Sequence, residues 1–227
     1  MCGCARTGEG ARINTMAQVR ATDRNRASRR LVIIGAGFSG AAAAVHALRG
    51  GARVTLVERT PAFGPGLAYG AAAGAHLLNT PADRMSAIED DPQHFARWLD
   101  RGGKTSAVFA SRARYGAYVQ ETLAEASRSH WPSRLARVRG AAIACRRSHT
   151  GWIVRLASGR TLAADAVILA LGHHPPSAPA PFQAADVIGA WDASAQARLP
   201  REGDVLLLGT GLTMMDVAIA LCTRKRE

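Results

Sequence analysis

The sequence has 227 residues, enough to bury one core or to form one domain and the start of another. A hydrophobic content of 48% with 20% charged residues indicates a folded protein. The formal net charge is +12, but the arginines are scattered and only 5% of residues are aromatic, so the stacking side chains of nucleic-acid sites are missing. We therefore expect no nucleic-acid partner.

Membrane and metal signals are also missing from the sequence. No apolar run reaches the roughly eighteen residues of a membrane span, and no apolar signal core stands near the first residue. We expect no membrane partner and a cytoplasmic location. Cys2, Cys4, Cys145 and Cys222 lack the spacing of a disulfide framework or a zinc site, and the histidine pair that begins at His173 lacks a third ligand. We therefore expect no metal site.

Residues 1–29 form an arginine-rich segment without the period of a helix or a strand. We expect this tail to be disordered, and an amphipathic targeting helix is the alternative. Met16 is an alternative start, in which case the residues before it would not belong to the protein.

An apolar run at residues 31–34 leads into a Gly-x-Gly-x-x-Gly motif, an alanine-rich stretch and a second apolar run. This order predicts a strand, a helix and a second strand with a dinucleotide fingerprint at the first turn, and a turn that binds nothing is the alternative. Gly35 permits the tight turn, Gly37 lets the backbone approach a pyrophosphate, and Gly40 lets the helix pack closely on the sheet. The pyrophosphate would lie at the helix N-terminus, which attracts anions. The predicted cofactor-binding residues of this turn are Gly35, Ala36, Gly37, Phe38, Ser39 and Gly40.

Glu58 ends the second apolar run, eighteen positions after Gly40. An acid at the carboxyl end of this strand is placed to accept hydrogen bonds from the hydroxyls of an adenosine ribose. Its negative charge favours FAD or NAD over NADP, because it would repel a 2′-phosphate. Glu58 and the adjacent Arg59 are therefore candidate cofactor-binding residues.

A segment rich in Gly and Pro follows at residues 59–70 and is predicted to be an irregular loop. It leaves the carboxyl end of the second strand, the edge at which parallel sheets bind ligands. Its glycines, Gly66 among them, would let the backbone lie close to a flat ring system. Asn79 and Arg84 are candidates to contact a cofactor or a substrate, and ordinary loop hydrogen bonds are the alternative for both.

The next stretch predicts a helix with Asp90 or Asp91 as its N-cap and proline in its first turn. Phe95, Trp98 and Leu99 fall on one face of this helix. We expect that face to pack in the core rather than to contact a cofactor.

A second amphipathic helix is predicted over residues 112–123. Residues 135–146, 151–156 and 160–162 then alternate apolar and polar side chains between glycine-containing turns, which predicts a small antiparallel meander. Residues 166–172 predict a buried strand that ends in a glycine turn.

A second copy of the opening pattern stands near the end of the sequence. Residues 204–217 repeat the strand, the glycine turn and the start of a helix, with Met214 in place of the third glycine. Close packing of this helix on its strand is therefore in doubt.

Four motifs give the sequence a family resemblance. They are the fingerprint at residues 33–40, Phe-Gly-Pro-Gly-Leu-Ala-Tyr at 63–69, His-Leu-Leu-Asn-Thr-Pro-Ala at 76–82 and His-Phe-Ala-Arg-Trp-Leu at 94–99. Together they resemble the FAD/NAD(P)-binding flavoproteins, distant relatives of flavin monooxygenases and amino-acid N-hydroxylases. The resemblance covers about residues 31–220 and implies FAD at the first motif and a nicotinamide domain inserted later.

The resemblance also implies further cofactor contacts. The lead into the meander would touch adenine through the backbone at about Ala142. The turn at Ala170 and Gly172 would close over the cofactor, and Gly209 and Gly211 would belong to the nicotinamide motif. The arginine that opens the second helix would lie near the flavin.

The predicted fold is α/β, with a Rossmann-like FAD-binding domain that contains a parallel sheet and a small antiparallel meander, plus the start of a second dinucleotide-binding unit. The predicted boundaries are residues 30–200 for the first domain and 203–227 for the second. We expect the sequence to stop within that unit, as a fragment or an early-ended reading frame. We therefore expect NADH or NADPH to reduce the flavin bound by this chain only slowly.

The predicted function is that of an FAD-binding oxidoreductase that uses NAD(P)H as co-substrate, and a monooxygenase is one form of this activity. A truncated, non-catalytic FAD-binding module and an NAD-binding domain without flavin are the alternatives. The sequence assigns no catalytic residue, no substrate and no oligomeric state.

Overall fold

The computed structural model describes residues 29–70, 76–101, 109–129, 133–173, 177–183, 187–190, 192, 199 and 202–224. The predicted disorder of the N-terminal tail therefore concerns residues that lie almost wholly outside the described part of the chain.

A four-stranded parallel sheet forms the centre of the fold. Its strands are β1 (Arg30–Ile34), β2 (Arg53–Glu58), β3 (Leu135–Arg139) and β7 (Ala166–Leu169), in the spatial order β3-β2-β1-β7. Every neighbouring pair is parallel. This sheet confirms the predicted α/β class.

The described helices include the two that the opening and closing motifs predict. The helices are α1 (Phe38–Arg49), α2 (Gly66–Gly70), α3 (His94–Asp100), α4 (Arg112–Arg128) and α5 (Leu212–Arg224). The longest, α4, begins at a standard N-cap: the Ser111 hydroxyl accepts a hydrogen bond from the backbone N–H of Arg114 at 3.3 Å.

An antiparallel sheet packs against one face of the parallel sheet. It consists of β4 (Ala142–Ser148), β5 (Gly151–Leu156) and β6 (Thr161–Ala164). The prediction of a meander was right, but its first strand was placed wrongly, because residues 135–139 pair in parallel with β2 and belong to the main sheet. The meander begins only after the turn at Gly140.

Strand alternation divides the core into two layers. Ile33 and Leu56, both 0% exposed, pack on the side of α1 and α4. Val32 and Val57 pack on the opposite side against Val154 of the meander. The sheet is therefore covered on both faces at β1 and β2, as parallel sheets require. The prediction of a buried strand at residues 166–172 was wrong in part, because β7 is an edge strand whose residues are partly exposed, with Leu169 63% exposed.

Helix α3 confirms the predicted core face, since Phe95 and Leu99 are buried and Trp98 packs against them. The predicted N-cap was wrong. The helix begins at His94 after Gln93, and no side chain caps it. The Asp91 carboxylate pairs instead with Arg97, and Pro92 lies before the first turn of the helix.

The second glycine motif contains the predicted helix but not the predicted strand. Residues 204–208 are assigned to no strand, and Val205, Leu206 and Leu208 are 42%, 73% and 48% exposed. An extended run becomes a strand only when a neighbour accepts its hydrogen bonds, and in the described part of the chain none pairs with it.

Candidate functional site

The turn between β1 and α1 is shaped by glycines that have no room for a side chain. A Cβ at Gly35, whose φ is +97°, would lie 2.1 Å from the carbonyl oxygen of Ala170. A Cβ at Gly40 would lie 1.9 Å from the carbonyl oxygen of Gly35. The predicted roles of these glycines therefore match their geometry. Ala170, at the end of β7, is held at the turn by a 2.8 Å bond from its N–H to the carbonyl of Ile34.

The N-terminus of α1 offers backbone donors without a competing side chain. Gly37 is its N-cap residue and makes no side-chain cap, and no acid stands in its first turn. The first-turn amides of Phe38, Ser39 and Gly40 have no carbonyl partner within the helix. Such a turn favours an anion through its N–H groups and the helix dipole.

The glycine-rich segment at residues 59–70 folds over this turn. It was predicted to be an irregular loop throughout, but its last five residues form helix α2 (Gly66–Gly70). The N–H of Gly64 donates to the carbonyl of Ala36 at 2.7 Å. Gly66 has a φ of +58°, and a Cβ there would lie 2.7 Å from the Cα of Gly37. The two backbones therefore meet, a contact between distant glycines that the sequence pattern did not indicate.

Glu58 reaches the same turn from β2. Its Oε2 accepts a hydrogen bond from the N–H of Ala36 at 2.8 Å. Its Oε1 accepts from both the N–H and the hydroxyl of Thr60, at 3.0 and 3.1 Å. A carboxylate has about four lone-pair sites, so Glu58 keeps acceptor capacity for a further donor. Arg59 beside it is exposed.

The lead into the meander also comes to this edge. The N–H of Gly140 donates to the carbonyl of Glu58 at 2.8 Å, which brings the start of β4 at Ala142 near the end of β2. One edge of the parallel sheet therefore holds the glycine turn, the acid Glu58 and Ala142, the predicted adenine contact.

Other predicted residues stand apart from these contacts. Asn79 is exposed, and its Oδ1 accepts from the hydroxyl of Thr80 at 3.5 Å. Gly172, Gly209 and Gly211 have nothing within 4 Å of an added Cβ, so open space surrounds each of them. Within the described residues no hydrogen bond joins these four to the glycine turn.

An aromatic cluster connects the turn to α4. The rings of Phe38, Tyr69 and Tyr115 lie with centroids 4.8 to 6.0 Å apart. Burial raises the pKa of both tyrosines, so they stay neutral at ordinary pH. Gly116 lets α2 approach, because a Cβ there would lie 2.6 Å from the carbonyl oxygen of Tyr69.

Arg112, at the start of α4, meets the second glycine motif. Its Nη2 lies 3.4 Å from Oδ2 of Asp216 on α5, and their side chains are 15% and 14% exposed. The ion pair brings the helix of the second motif against the first unit. Asp216 was not singled out in the sequence, where it is one acid on an amphipathic helix.

Two negative findings concern the described part of the chain. None of its helices combines the length and the apolar character that crossing a membrane demands. Nor does it bring three or more His, Cys, Asp or Glu side chains together where they could hold a metal ion.

The fold and the turn define a class of protein: an α/β protein with a dinucleotide-binding turn at the carboxyl edge of a parallel sheet. The model of the FAD-NAD(P)-binding family matches residues 32–174. The chain therefore belongs to the FAD-NAD(P)-binding family. No curated protein matches it.

Solved structures are similar to this chain at low sequence identity, and OTEMO shares its fold. OTEMO, in a complex with FAD and NADP, has a TM-score of 0.52 and 20% identity over 70% of this chain and 28% of its own. A flavin monooxygenase from Stenotrophomonas maltophilia has a TM-score of 0.44 and 20% identity over 62% of this chain and 37% of its own. An oxidoreductase from Agrobacterium tumefaciens has a TM-score of 0.42 and 18% identity over 67% of this chain and 39% of its own. The chain thus spans well under half the length of these proteins.

Proposed function

We propose that the chain binds FAD at the glycine turn and forms the flavin-binding part of an NAD(P)H-dependent oxidoreductase. The observation that carries this proposal is the 2.8 Å bond between the Glu58 carboxylate and the Ala36 amide. It holds an acceptor for a ribose beside a turn whose amides would bind an anion. An adenosine diphosphate moiety has its ribose and its pyrophosphate in this relation.

The charge at this edge selects among dinucleotides. Glu58 would accept hydrogen bonds from the two ribose hydroxyls of FAD or NAD. It would repel the 2′-phosphate of NADP, since two negative charges in contact are unfavourable wherever water is partly excluded. This charge disfavours NADP alone, and of the two remaining dinucleotides we propose FAD as the resident cofactor, with a nicotinamide cofactor bound elsewhere.

The residues of the chain hold and orient this cofactor. The first-turn amides of α1 would bind the pyrophosphate, and Gly37 and Gly66 would let it approach both backbones. Bound FAD would supply the exchange of hydride and single electrons, which no side chain can perform. The substrate class and the residues that contact it stay unassigned.

The use of NAD(P)H is a second part of the proposal. Gly209 and Gly211 precede α5 as Gly35 and Gly37 precede α1, and the Arg112–Asp216 ion pair brings α5 against the first unit. We propose that this motif binds the nicotinamide cofactor. A monooxygenase is the finer form of the activity that we propose.

Titration with FAD, NAD and NADP, each followed by quenching of tryptophan fluorescence, tests the choice of resident cofactor. We expect tight binding of FAD and weak binding of NADP. Tight NAD binding without FAD binding would favour the alternative of a flavin-free NAD domain.

Anaerobic mixing of the FAD-loaded protein with NADH or NADPH then tests the second part of the proposal, the use of NAD(P)H. Bleaching of the flavin band supports an oxidoreductase, and no bleaching at any concentration favours a non-catalytic FAD module.

A further inference from the structure

A second cleft lies at the opposite edge of the parallel sheet, where the strands begin. It has a volume of about 290 Å³. We call it the basic cleft and define it by Arg30, Arg53, Thr55, Arg134 and Ala163, which line it. Arg30 and Arg53 are the first residues of β1 and β2, and Arg134 directly precedes β3. The glycine turn lies at the other ends of these strands.

Strand alternation places the side chains of Arg30 and Arg53 on the meander side of the sheet. Arg30 precedes Val32 by two positions, and Val32 packs in the layer that faces the meander. Arg53 shares a face with Val57 of the same layer, for the same reason. Ala163 of β6 closes the cleft from the meander side.

The charges in this cleft are not balanced. Arg30 and Arg53 are register partners across β1 and β2, so the two arginine side chains leave the sheet side by side on one face. Asp165 accepts from the backbone N–H and from Nη2 of Arg30, both at 2.8 Å, and thereby engages one of the two. In the described part of the chain no ion pair includes Arg53 or Arg134. Like charges in register are unfavourable unless an anion lies between them.

Arg134 is held in a fixed position at the rim. Its Nη1 donates to the carbonyl of Gly51 at 2.7 Å, and the side chain is half-buried. A guanidinium carries five N–H donors, so this bond orients the group and leaves donors for a ligand. Arginine suits phosphate oxygens because its planar fork can donate two parallel hydrogen bonds.

We propose that the basic cleft binds the phosphate group of a small phosphorylated metabolite, with Arg53 and Arg134 as its cationic ligands. Its volume lies near the lower end of the range for small-molecule pockets, about 300–1,000 Å³, so the ligand is small. The cleft is separate from the glycine turn and does not depend on the proposed flavin function.

Calorimetric titration of the FAD-loaded protein with inorganic pyrophosphate tests this proposal. We expect saturable binding at one site per chain. Arg53→Gln and Arg134→Gln should each weaken it roughly 10- to 100-fold, as the loss of a charged hydrogen bond implies. Arg53→Lys keeps the charge without the fork and should fall between Arg53→Gln and the unchanged protein.

Arg137→Gln is the matched control, because Arg137 is an exposed arginine on β3 that does not line the cleft. It should leave the affinity unchanged. Equal weakening by all three glutamine variants, or no saturable binding, would overturn the proposal. If the protein retains no FAD, the same arginine dependence still reports on the cleft, since both arginines stand at the far edge of the sheet from the glycine turn.

A vesicle experiment separates the two sources of a phosphate group. Phosphatidylcholine vesicles that contain phosphatidic acid should not carry the protein on flotation. Flotation that is lost in Arg53→Gln, combined with no binding of pyrophosphate, would overturn the assignment to a small metabolite and point to a lipid headgroup.

Discussion

The Oε2 atom of Glu58 accepts a hydrogen bond from the backbone N–H of Ala36 at 2.8 Å. The contact joins the end of β2 to the turn after β1. It fixes the distance between an acid that suits a ribose and a helix N-terminus that suits a pyrophosphate. A single side chain thus connects both halves of the proposed ligand site.

Glu58→Gln should weaken FAD binding. The amide oxygen can still accept a hydrogen bond from Ala36, but the side chain loses the negative charge that strengthens hydrogen bonds from ribose hydroxyls. A charged bond exceeds a neutral one by about 1 kcal/mol, so we expect a loss of roughly 1–2 kcal/mol for two ribose bonds. Fluorescence titration with FAD measures the change. Glu89→Gln, at an exposed acid beside the Asp90 carboxylate that pairs with Arg49, serves as the control and should bind FAD normally. Equal FAD affinities for both variants would show that Glu58 does not bind the ribose.

Gly35→Ala should destabilise the fold more than Gly159→Ala. Both glycines have positive φ, +97° and +84°, so both variants share a backbone cost of about 1–2 kcal/mol. Only at Gly35 would the new Cβ also collide with a carbonyl oxygen, that of Ala170 at 2.1 Å, whereas nothing lies within 4 Å at Gly159. Urea unfolding of both variants measures the difference. Equal losses would contradict the close approach of β7 to the turn.

Much of this site could be predicted because its signals are local. Gly35, Gly40 and Glu58 belong to one strand-helix-strand unit, and their spacing alone predicts that they meet at one turn, as they do. The approach of Gly66 to Gly37 could not be predicted, since it depends on how a loop folds back over the turn. The same holds for the Arg112–Asp216 ion pair, whose members are more than a hundred residues apart.

The errors in the fold have a common physical origin. Residues 135–139 alternate like a meander strand, but their partner in the structure is β2, far away in the sequence. Residues 204–208 have the composition of a strand and lack a paired neighbour in the described part of the chain. Composition predicts an extended backbone, whereas the partner of a strand is decided by tertiary packing.

Tyr118→Phe should cost more stability than Tyr115→Phe. The Tyr118 hydroxyl accepts from the N–H of Ala87 at 3.1 Å and lies 2.8 Å from Nδ1 of His94. Its removal leaves a buried N–H without a partner, at a cost of about 1–3 kcal/mol. Among the described residues no hydrogen bond reaches the Tyr115 hydroxyl, which is why it is the matched control. Chemical unfolding measures the free energy of unfolding of both variants. An equal loss in Tyr115→Phe and Tyr118→Phe would contradict this account.

The protein should lose stability at alkaline pH through its tyrosines. Burial raises the pKa of Tyr69, Tyr115 and Tyr118, all three tyrosines of the sequence, above the ordinary value. The unfolded chain releases these protons near pH 10, about the ordinary tyrosine pKa, while the folded chain retains them. The stabilisation is therefore complete below about pH 10 and is lost as the pH rises through the folded pKa values.

Urea midpoints measured at about pH 9 and about pH 11, on either side of the ordinary tyrosine pKa, check this dependence. We expect a clear fall between them, and a smaller fall in Tyr115→Phe because one retained proton is gone. A midpoint that stays constant over this range would contradict the buried position of the tyrosines.

The measurement that tests the central claim most directly is the visible spectrum of the protein after incubation with FAD and removal of free cofactor. The turn from Gly35 to Gly40, with Glu58 beside it, predicts that flavin absorption bands remain with the protein at about one FAD per chain, as one glycine-turn site implies. Glu58→Gln should retain less than the unchanged protein. A colourless protein that ignores added FAD and binds NAD at the same turn would contradict the flavin assignment.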